Sequence, residues 1–546
     1  VTNTKGKQPT AAENKERDAA VRAAYLKFGH NVSAISREVG LARPNVRARL
    51  QKLGLYGKAL TSGSIKPPSK KVAALPKSNN KKKYILTSAQ NNTPLFEAFW
   101  AGLKTLSAEI GAQILVSRFT YNKNAYGRMS VKPTTEETQD DLWYDPAIEP
   151  YLCDERLHLA PGLDWCGEMN ILPTNPNPLS GLQSYTGRNS GIFPHAKIAM
   201  ESVASGKFEA TKFNYTTGAC TQRNYIQKTA GQKAEFHHAY GALLVEVDAS
   251  GNWFCRQLNA DSTGTFYDLD ARISGSSVTY GHRPEAINWG DIHVAEIDQG
   301  VKELAWGEGG MLDALKPKLQ VKHDILDFMA RSHWDERDPH KRFQLFKQGK
   351  DSVEQEVREM GEFLSWAKRP GIQTLTVDSN HHNHLARWLK EKNALHDPVN
   401  AHFWTKMQKR VYDSIDGNCG EPNYLEAALL EVKMHDALKD VRCLSEDESY
   451  VICESASDGI ELGLHGDRGI NGSRGTPRSF TRMGRKANTG HTHSAGIIDG
   501  VYTAGTCSLL TPDWVRGPSS WSHTHIITYP NGKRALVTMW NGKWRA

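Results

Sequence analysis

The sequence predicts an α/β protein whose C-terminal half carries the main sheet, preceded by an N-terminal helix-turn-helix and a middle α+β region. Three observations predict it. From Ala286 onward, strand-like and helix-like stretches alternate, as in a sheet with helices packed on it. Residues 198–269 give short strands separated by turn-forming residues, which favours a mixed or antiparallel sheet. Residues 13–53 give three helix-like stretches with basic residues left facing outward. The 546 residues allow two to four domains with ample sequence to bury a core. The expected boundaries are 1–57, 58–83, 84–285 and 286–546.

Residues 1–12 read as disordered. Glu13–Phe28 carries Ala20, Val21, Ala24, Tyr25 and Phe28 at helical spacing, Gly29 and Asn31 break that helix, and Val32–Val39 makes a second. Pro44 stands where a third helix begins, since a first turn needs no amide donor. In that helix Val46, Leu50 and Leu53 face inward, leaving Arg43, Asn45, Arg47, Arg49 and Gln51 outward or flanking, where a DNA-reading helix would hold its contacts. An interaction module that touches no DNA has the same pattern. Lys58–Lys83 is a flexible basic linker by its Lys, Pro, Ser and Asn content. Tyr84–Thr87 and Gln113–Val116 read as strands around the helix Phe96–Ile110, and residues 121–195 as a loop-rich region. The middle region continues with strands at Ile198–Val203, Lys212–Tyr215, Ala242–Val247, Trp253–Leu258 and Thr265–Leu269. No chemistry is assigned to residues 84–280.

The overall charge of +8 hides a partition. Residues 1–83 hold 19 Lys and Arg against 4 Asp and Glu, and the remainder 49 against 56. A basic arm on an acidic body suits a polyanionic partner met by the arm and cations held by the body. The eight cysteines are widely spaced without a Cys-x-x-Cys pair, which reads as reduced thiols in a cytoplasm. Neither a signal peptide nor a membrane-spanning run is expected.

Fifteen of the 21 histidines lie between His293 and His525, where an even spread would put about nine. Their placement carries more weight than their number. Ile287–His293 reads as a strand ending in Asp291-x-His293, two ligand-type side chains on one face. Leu319–His323 is a strand followed by Asp324, and Ile372–Val377 runs into Asp378-Ser379-Asn380-His381. Glu461–Leu464 ends in His465, and Gly490-His491-Thr492-His493 puts two imidazoles two residues apart, where both can aim at one small volume.

These ordered blocks resemble those of the calcineurin-like metallophosphoesterases, over about residues 286–500. The resemblance implies a four-layer α/β/β/α sandwich. It implies that Asp291, His293 and His493 bind one divalent cation, that Asn380, His465 and His491 bind another, that Asp324 bridges the two, and that His381 sits beside the scissile phosphate. The oxygen and imidazole donors without cysteine suit Mn²⁺, with Mg²⁺ as the alternative. His323, Ser379 and His382 depart from the family pattern, in which the first two positions are Gly and the third is acidic. Asp327 and His333-Trp334-Asp335 compete with Asp324 for the second block.

Between His465 and His491 a Gly-rich segment carries Arg468, Arg474, Arg478, Arg482, Arg485 and Lys486 with no acidic residue after Asp467. Such a loop beside two cations suits a nucleic-acid backbone. The chain therefore resembles the SbcD/Mre nucleases, and in overall architecture the pre-early DNA-transfer proteins of T-odd siphophages, a family linked to breakdown of host DNA. The expected activity is a Mn²⁺-dependent DNase in the bacterial host cytoplasm. DNA is the expected partner, with room for a second copy of the chain or a second phage protein. A small-substrate metallophosphoesterase and a non-catalytic DNA-binding regulator are the alternatives. A carboxylate-rich recombinase site fits less well. The tail reads as a hairpin, Ile526–Tyr529 and Arg534–Met539 around Pro530-Asn531-Gly532, with His523 and His525 on a hairpin face or behind the site.

Overall fold

A computed structural model describes residues 10–28, 32–53, 55, 82–121, 143–335, 337–512 and 515–546. Nearly all of the expected linker lies outside them. The chain forms two compact units, Val1–Lys71 and Val72–Ala546.

In the first unit the helices Ala11–Phe28, Val32–Val39 and Arg43–Lys52 bury Val21, Ala24, Tyr25, Ile35, Val46 and Leu50 against one another. Arg43, Asn45 and Arg47 are exposed. Arg49 is not available as an outward contact. Its guanidinium pairs with Asp18 and donates to Asn14 O (3.2 Å) and Oδ1 (2.7 Å), clamping the third helix to the first. The reason is helical geometry: Arg49 lies three residues after the buried Val46 and next to the buried Leu50, at the edge of the packed stripe.

The second unit is built on two large sheets. One has six strands in the order Val441–Cys443, Gln373–Thr376, Leu319–Lys322, Ala286–Asn288, Thr524–Thr528, Arg534–Thr538. Its first four strands are parallel, so their C-terminal ends share one edge, and the last two form an antiparallel hairpin. One face is covered by helices including Gln299–Trp306, Val353–Trp366, His382–Glu391 and Ala401–Asp416, around a core with Trp289, Trp306, Met360, Leu385 and Phe403. The other face meets the second sheet through Ala286, Val321, Leu375, Ile460 and Leu462. Burial of the Val, Leu and Ile side chains among these, at about 1.5–3 kcal/mol each, fixes the two sheets face to face.

That second sheet has ten strands and draws on both halves of the sequence. Val451–Ile452, Ile460–Glu461, Lys486–Thr489, Val501–Thr503 and Gly496–Ile498 continue through Met200–Val203 into Lys212–Thr216, Ser190–Phe193, Leu163–Cys166 and Arg156–Ala160. The joint is the antiparallel pairing of Ile497 with Met200 and Gly496 with Glu201. The expected boundary at 285/286 therefore runs through a continuous sheet. Three of these strands lie in the region read as loop, because each is only four or five residues long, too short to stand out among the surrounding Pro, Asn and Gly. A four-stranded sheet, Gln113–Phe119, Lys82–Gln90, Gly241–Val247 and Trp253–Asn259, adds to this architecture, with Leu536 N–H donating to Gln257 Oε1 at 2.8 Å.

A fourth, helical layer was expected on the far face of the ten-stranded sheet. Among the described residues that face carries coil, with Leu179 buried against Cys166 and Phe193, and the four-residue helix Pro477–Phe480.

Candidate metal centre

The parallel strand ends are where the expected blocks meet, although the local geometry differs from a simple strand end. The strand Ala286–Asn288 stops before Asp291, so Asp291 and His293 do not share a strand face. They are fixed by a run of contacts along the next segment instead. Ile292 N–H donates to His323 O (3.0 Å) and His293 N–H to Asp324 O (2.8 Å). Asp291 O accepts from Cys507 N (2.7 Å) and Thr506 Oγ1 (2.8 Å), and Gly290 N–H donates to His525 Nδ1 (3.0 Å). His525 thus supports the site from behind.

Four of the expected ligands adopt left-handed backbone: His293 (φ 50°), Asp324 (φ 45°), His491 (φ 70°) and His493 (φ 56°). Such residues cost about 1–3 kcal/mol each and persist where the surroundings over-determine them, typically at functional sites. Gly490 has a separate reason to lack a side chain, since a Cβ there would lie 2.1 Å from Asp291 Oδ1.

All seven expected ligands converge. Asp291 Oδ2 lies 3.1 Å from His493 Nε2 and accepts from His491 N at 2.7 Å. His293 Nε2 is 3.1 Å from His493 Nε2 and 3.8 Å from Asp324 Oδ2. On the other side Asp324 Oδ2 is 3.1 Å from His465 Nε2, and Asn380 Oδ1 is 3.0 Å from His465 Nε2 and 3.1 Å from His491 Nδ1. Asp324 therefore stands between the two groups. The expected catalytic residue, His381, is half-buried at the start of His382–Glu391, its ring 4.8 Å from that of His293 and its Nδ1 3.1 Å from Asp327 O.

Burial alone would push His465 and His293 toward neutrality. Asp324 and Asp291 outweigh it at His465, pushed up to about 10, and Asp327 followed by Asp324 outweighs it at His293, pushed up to about 9. The same attraction holds the Asp291 and Asp324 carboxyls below the usual carboxylate range despite their burial. The chemistry of the donors fits divalent cations. Two imidazole Nε2 atoms point at each other, and Asp291 Oδ1 and Asp324 Oδ1 are buried without a hydrogen-bond partner. A cation would displace the protons that His293 and His465 hold.

Sequence reasoning missed or undervalued several neighbours. Asp327 Oδ1 sits 2.7 Å from His293 Nδ1 and Oδ2 accepts from Ala295 N at 2.9 Å, so it fixes the His293 ring from behind, as carboxylates fix histidines in metal sites. His323 is fully buried beside His465, ring centroids 5.6 Å apart, and only its place in the second block hinted at that. His382 Nε2 accepts from Ile325 N at 3.0 Å and so braces the loop bearing Asp324.

Of the expected phosphate contacts, Arg474, Arg478, Arg482 and Arg485 are exposed between His465 and His491. Lys486 is not one of them: it opens the strand Lys486–Thr489, is half-buried, and donates to Ser457 O at 2.9 Å. Strand pairing with Ile460–Glu461 turns it inward.

No family model matches the chain. Protein A1 of Escherichia phage T5 is 40% identical over 477 residues, which cover 85% of this chain and 83% of that protein. Among the described residues no helix is long and apolar enough to cross a membrane.

Proposed function

We propose that this chain, which belongs to the same family as Protein A1 of Escherichia phage T5, is a two-metal phosphodiesterase that hydrolyses DNA, acting on host DNA during phage infection. The observation that carries the reading is the convergence of Asp291, His293, Asp324, Asn380, His465, His491 and His493 into one largely buried cluster beside His381. Asp291, His293 and His493 would hold one cation, Asn380, His465 and His491 a second, and Asp324 both. Mn²⁺ is the favoured ion and Mg²⁺ the alternative, from the oxygen and imidazole donor set. Divalent cations there would supply Lewis-acid polarisation of a phosphoryl group and a water acidic enough to attack it at neutral pH.

The chain's own groups do the rest. Asp327 keeps the His293 ring turned so that Nε2 faces the cluster. His381 directs Nδ1 to Asp327 O, which leaves Nε2 to meet the substrate; with a proton there it protonates the departing oxygen. DNA as substrate is supported by the exposed Arg474, Arg478, Arg482 and Arg485 and by Arg43, Asn45 and Arg47 on the third helix, read as the recognition helix of a helix-turn-helix.

The test is digestion of linear and circular plasmid by the full chain with Mn²⁺, with EDTA, and with His381→Ala in parallel. DNA loss only with Mn²⁺ and His381 is the expected result. Intact DNA in Mn²⁺, Mg²⁺ and Co²⁺ alongside cleavage of a chromogenic phosphoester would replace it with the small-substrate reading. DNA binding without turnover of either would leave a regulator.

A further inference from the structure

Beside the metal centre, on the His381 side, stands an exposed tryptophan, and the helix that follows it in the chain carries further exposed rings and cations; nothing above uses them. Trp334 packs edgewise against His384 (centroids 4.8 Å) and lies 5.8 Å from the His381 ring, yet remains 62% exposed. The following helix, Pro339–Lys347, rests on the body through a single buried residue, Leu345. It holds Phe343 and Phe346 in solvent, at 64% and 60% exposure and one turn apart on the same side. Leaving two phenylalanines in water forgoes the burial that normally fixes them. The helix and its exit, residues 339–350, contain Lys341, Arg342, Lys347 and Lys350 and no Asp or Glu, and these four cations make no ion pair among the described residues; Asp335, Glu336, Asp338 and Asp351 flank them in the sequence.

We infer that Trp334, Phe343 and Phe346 form a stacking platform for the unpaired bases of a DNA strand entering the metal centre. This rests on the phosphodiesterase reading and names the form of its substrate. Exposed flat rings interleaved with cations are what a single strand needs, because every base offers a π face and every nucleotide a phosphate. A duplex hides those faces in its own stack. A second copy of this chain is the competing occupant, and the test below separates the two. A base seated on Trp334 brings its neighbouring phosphate next to His381.

The test compares binding of a labelled oligothymidylate and of a blunt duplex by the full chain in EDTA, read by fluorescence anisotropy. Trp334→Ala and the double variant Phe343→Ala/Phe346→Ala are each expected to weaken single-strand binding about tenfold while duplex binding stays within about twofold. Trp334→Phe is expected to recover most of the affinity, and Mn²⁺-dependent turnover of bis(p-nitrophenyl) phosphate to be unchanged in the Phe343→Ala/Phe346→Ala variant. Unchanged single-strand affinity, or an equal loss on both DNAs, overturns the inference. So does a change of oligomeric state by light scattering in the double variant with affinity intact, which would give the face to a second copy. If the unmodified chain cleaves neither DNA nor the small diester, the phosphodiesterase reading itself fails. If it cleaves both while the variants bind like the parent, only the platform fails.

Discussion

His195 and His238, in the sheet region around residues 190–240, are as buried as His293, His465 and His493 at the proposed metal centre, but their surroundings are opposite in kind. Each nitrogen of the first pair has a neutral partner. His195 Nδ1 accepts from Lys197 N (3.0 Å) and Nε2 faces Leu172 O (3.3 Å); His238 Nδ1 meets Tyr225 Oη (2.8 Å) and Nε2 faces Thr221 O (3.1 Å). Burial then dominates and both rings are held neutral, at about 4 and about 3. At the metal centre His293 and His465 have carboxylates as neighbours, His493 Nε2 points at another imidazole, and the ring nitrogens His465 Nδ1 and His493 Nδ1 have no hydrogen-bond partner. A histidine that completes its hydrogen bonds with neutral groups is part of the packing. One that faces carboxylates and other imidazoles is set to bind a cation.

Replacing the shared carboxylate should separate the two sets most widely: Asp324→Asn is expected to lower DNA turnover about 1,000-fold and to reduce bound Mn²⁺ measured by plasma mass spectrometry. Comparable activity and metal content would remove the distinction. His238→Ala should do the reverse, costing about 2–3 kcal/mol in denaturant unfolding while metal content per folded chain is unchanged. Asp327→Ala, which frees the His293 ring, should weaken Mn²⁺ about 10- to 100-fold by competition with a fluorescent chelator.

The two sets should also answer pH in opposite directions. His195 and His238 have folded pKa values below the ordinary 6.5, so the stability they give is present above pH 6.5 and is lost as pH falls toward about 4 and about 3. His293 and His465 are raised, so in cation-free protein their contribution is complete below pH 6.5 and is lost as pH rises through about 9 and about 10. Mn²⁺ binding should accordingly release protons at neutral pH, seen as buffer-dependent heats in titration calorimetry, and His238→Ala should leave that release intact. The smallest effect contrasts two arginines on one helix. Arg47→Ala should weaken DNA retention about threefold with helix content unchanged, whereas Arg49→Ala should loosen the first unit through Asp18, read by limited proteolysis.

What the sequence made legible was short in range. Each block of the centre lies within a few residues at a strand end, so Asp291, Asp324, Asn380, His381, His465, His491 and His493 could be found without knowing how the strands pair. The hairpin around Asn531-Gly532 was equally local. Hidden were features that depend on distant partners. The pairing of Met200 with Ile497 joins segments that looked like separate domains. The inward turn of Lys486 depends on a neighbouring strand, and the capture of Arg49 on an acidic residue two helices away. The supporting role of His525 needs the carboxyl end of a strand more than 200 residues earlier.

The same long pairing has a consequence for synthesis on the ribosome. Strands from residues 156–216 cannot complete their sheet until Gly496–Ile498 has emerged, and the last two imidazoles of the centre arrive only just before. Non-local sheets pay loop-closure entropy before contacts repay it, so they form late and slowly. A nascent chain of this protein therefore presents its basic N-terminal unit while the proposed hydrolytic centre is still incomplete. On the proposed function, DNA is engaged before it can be cut.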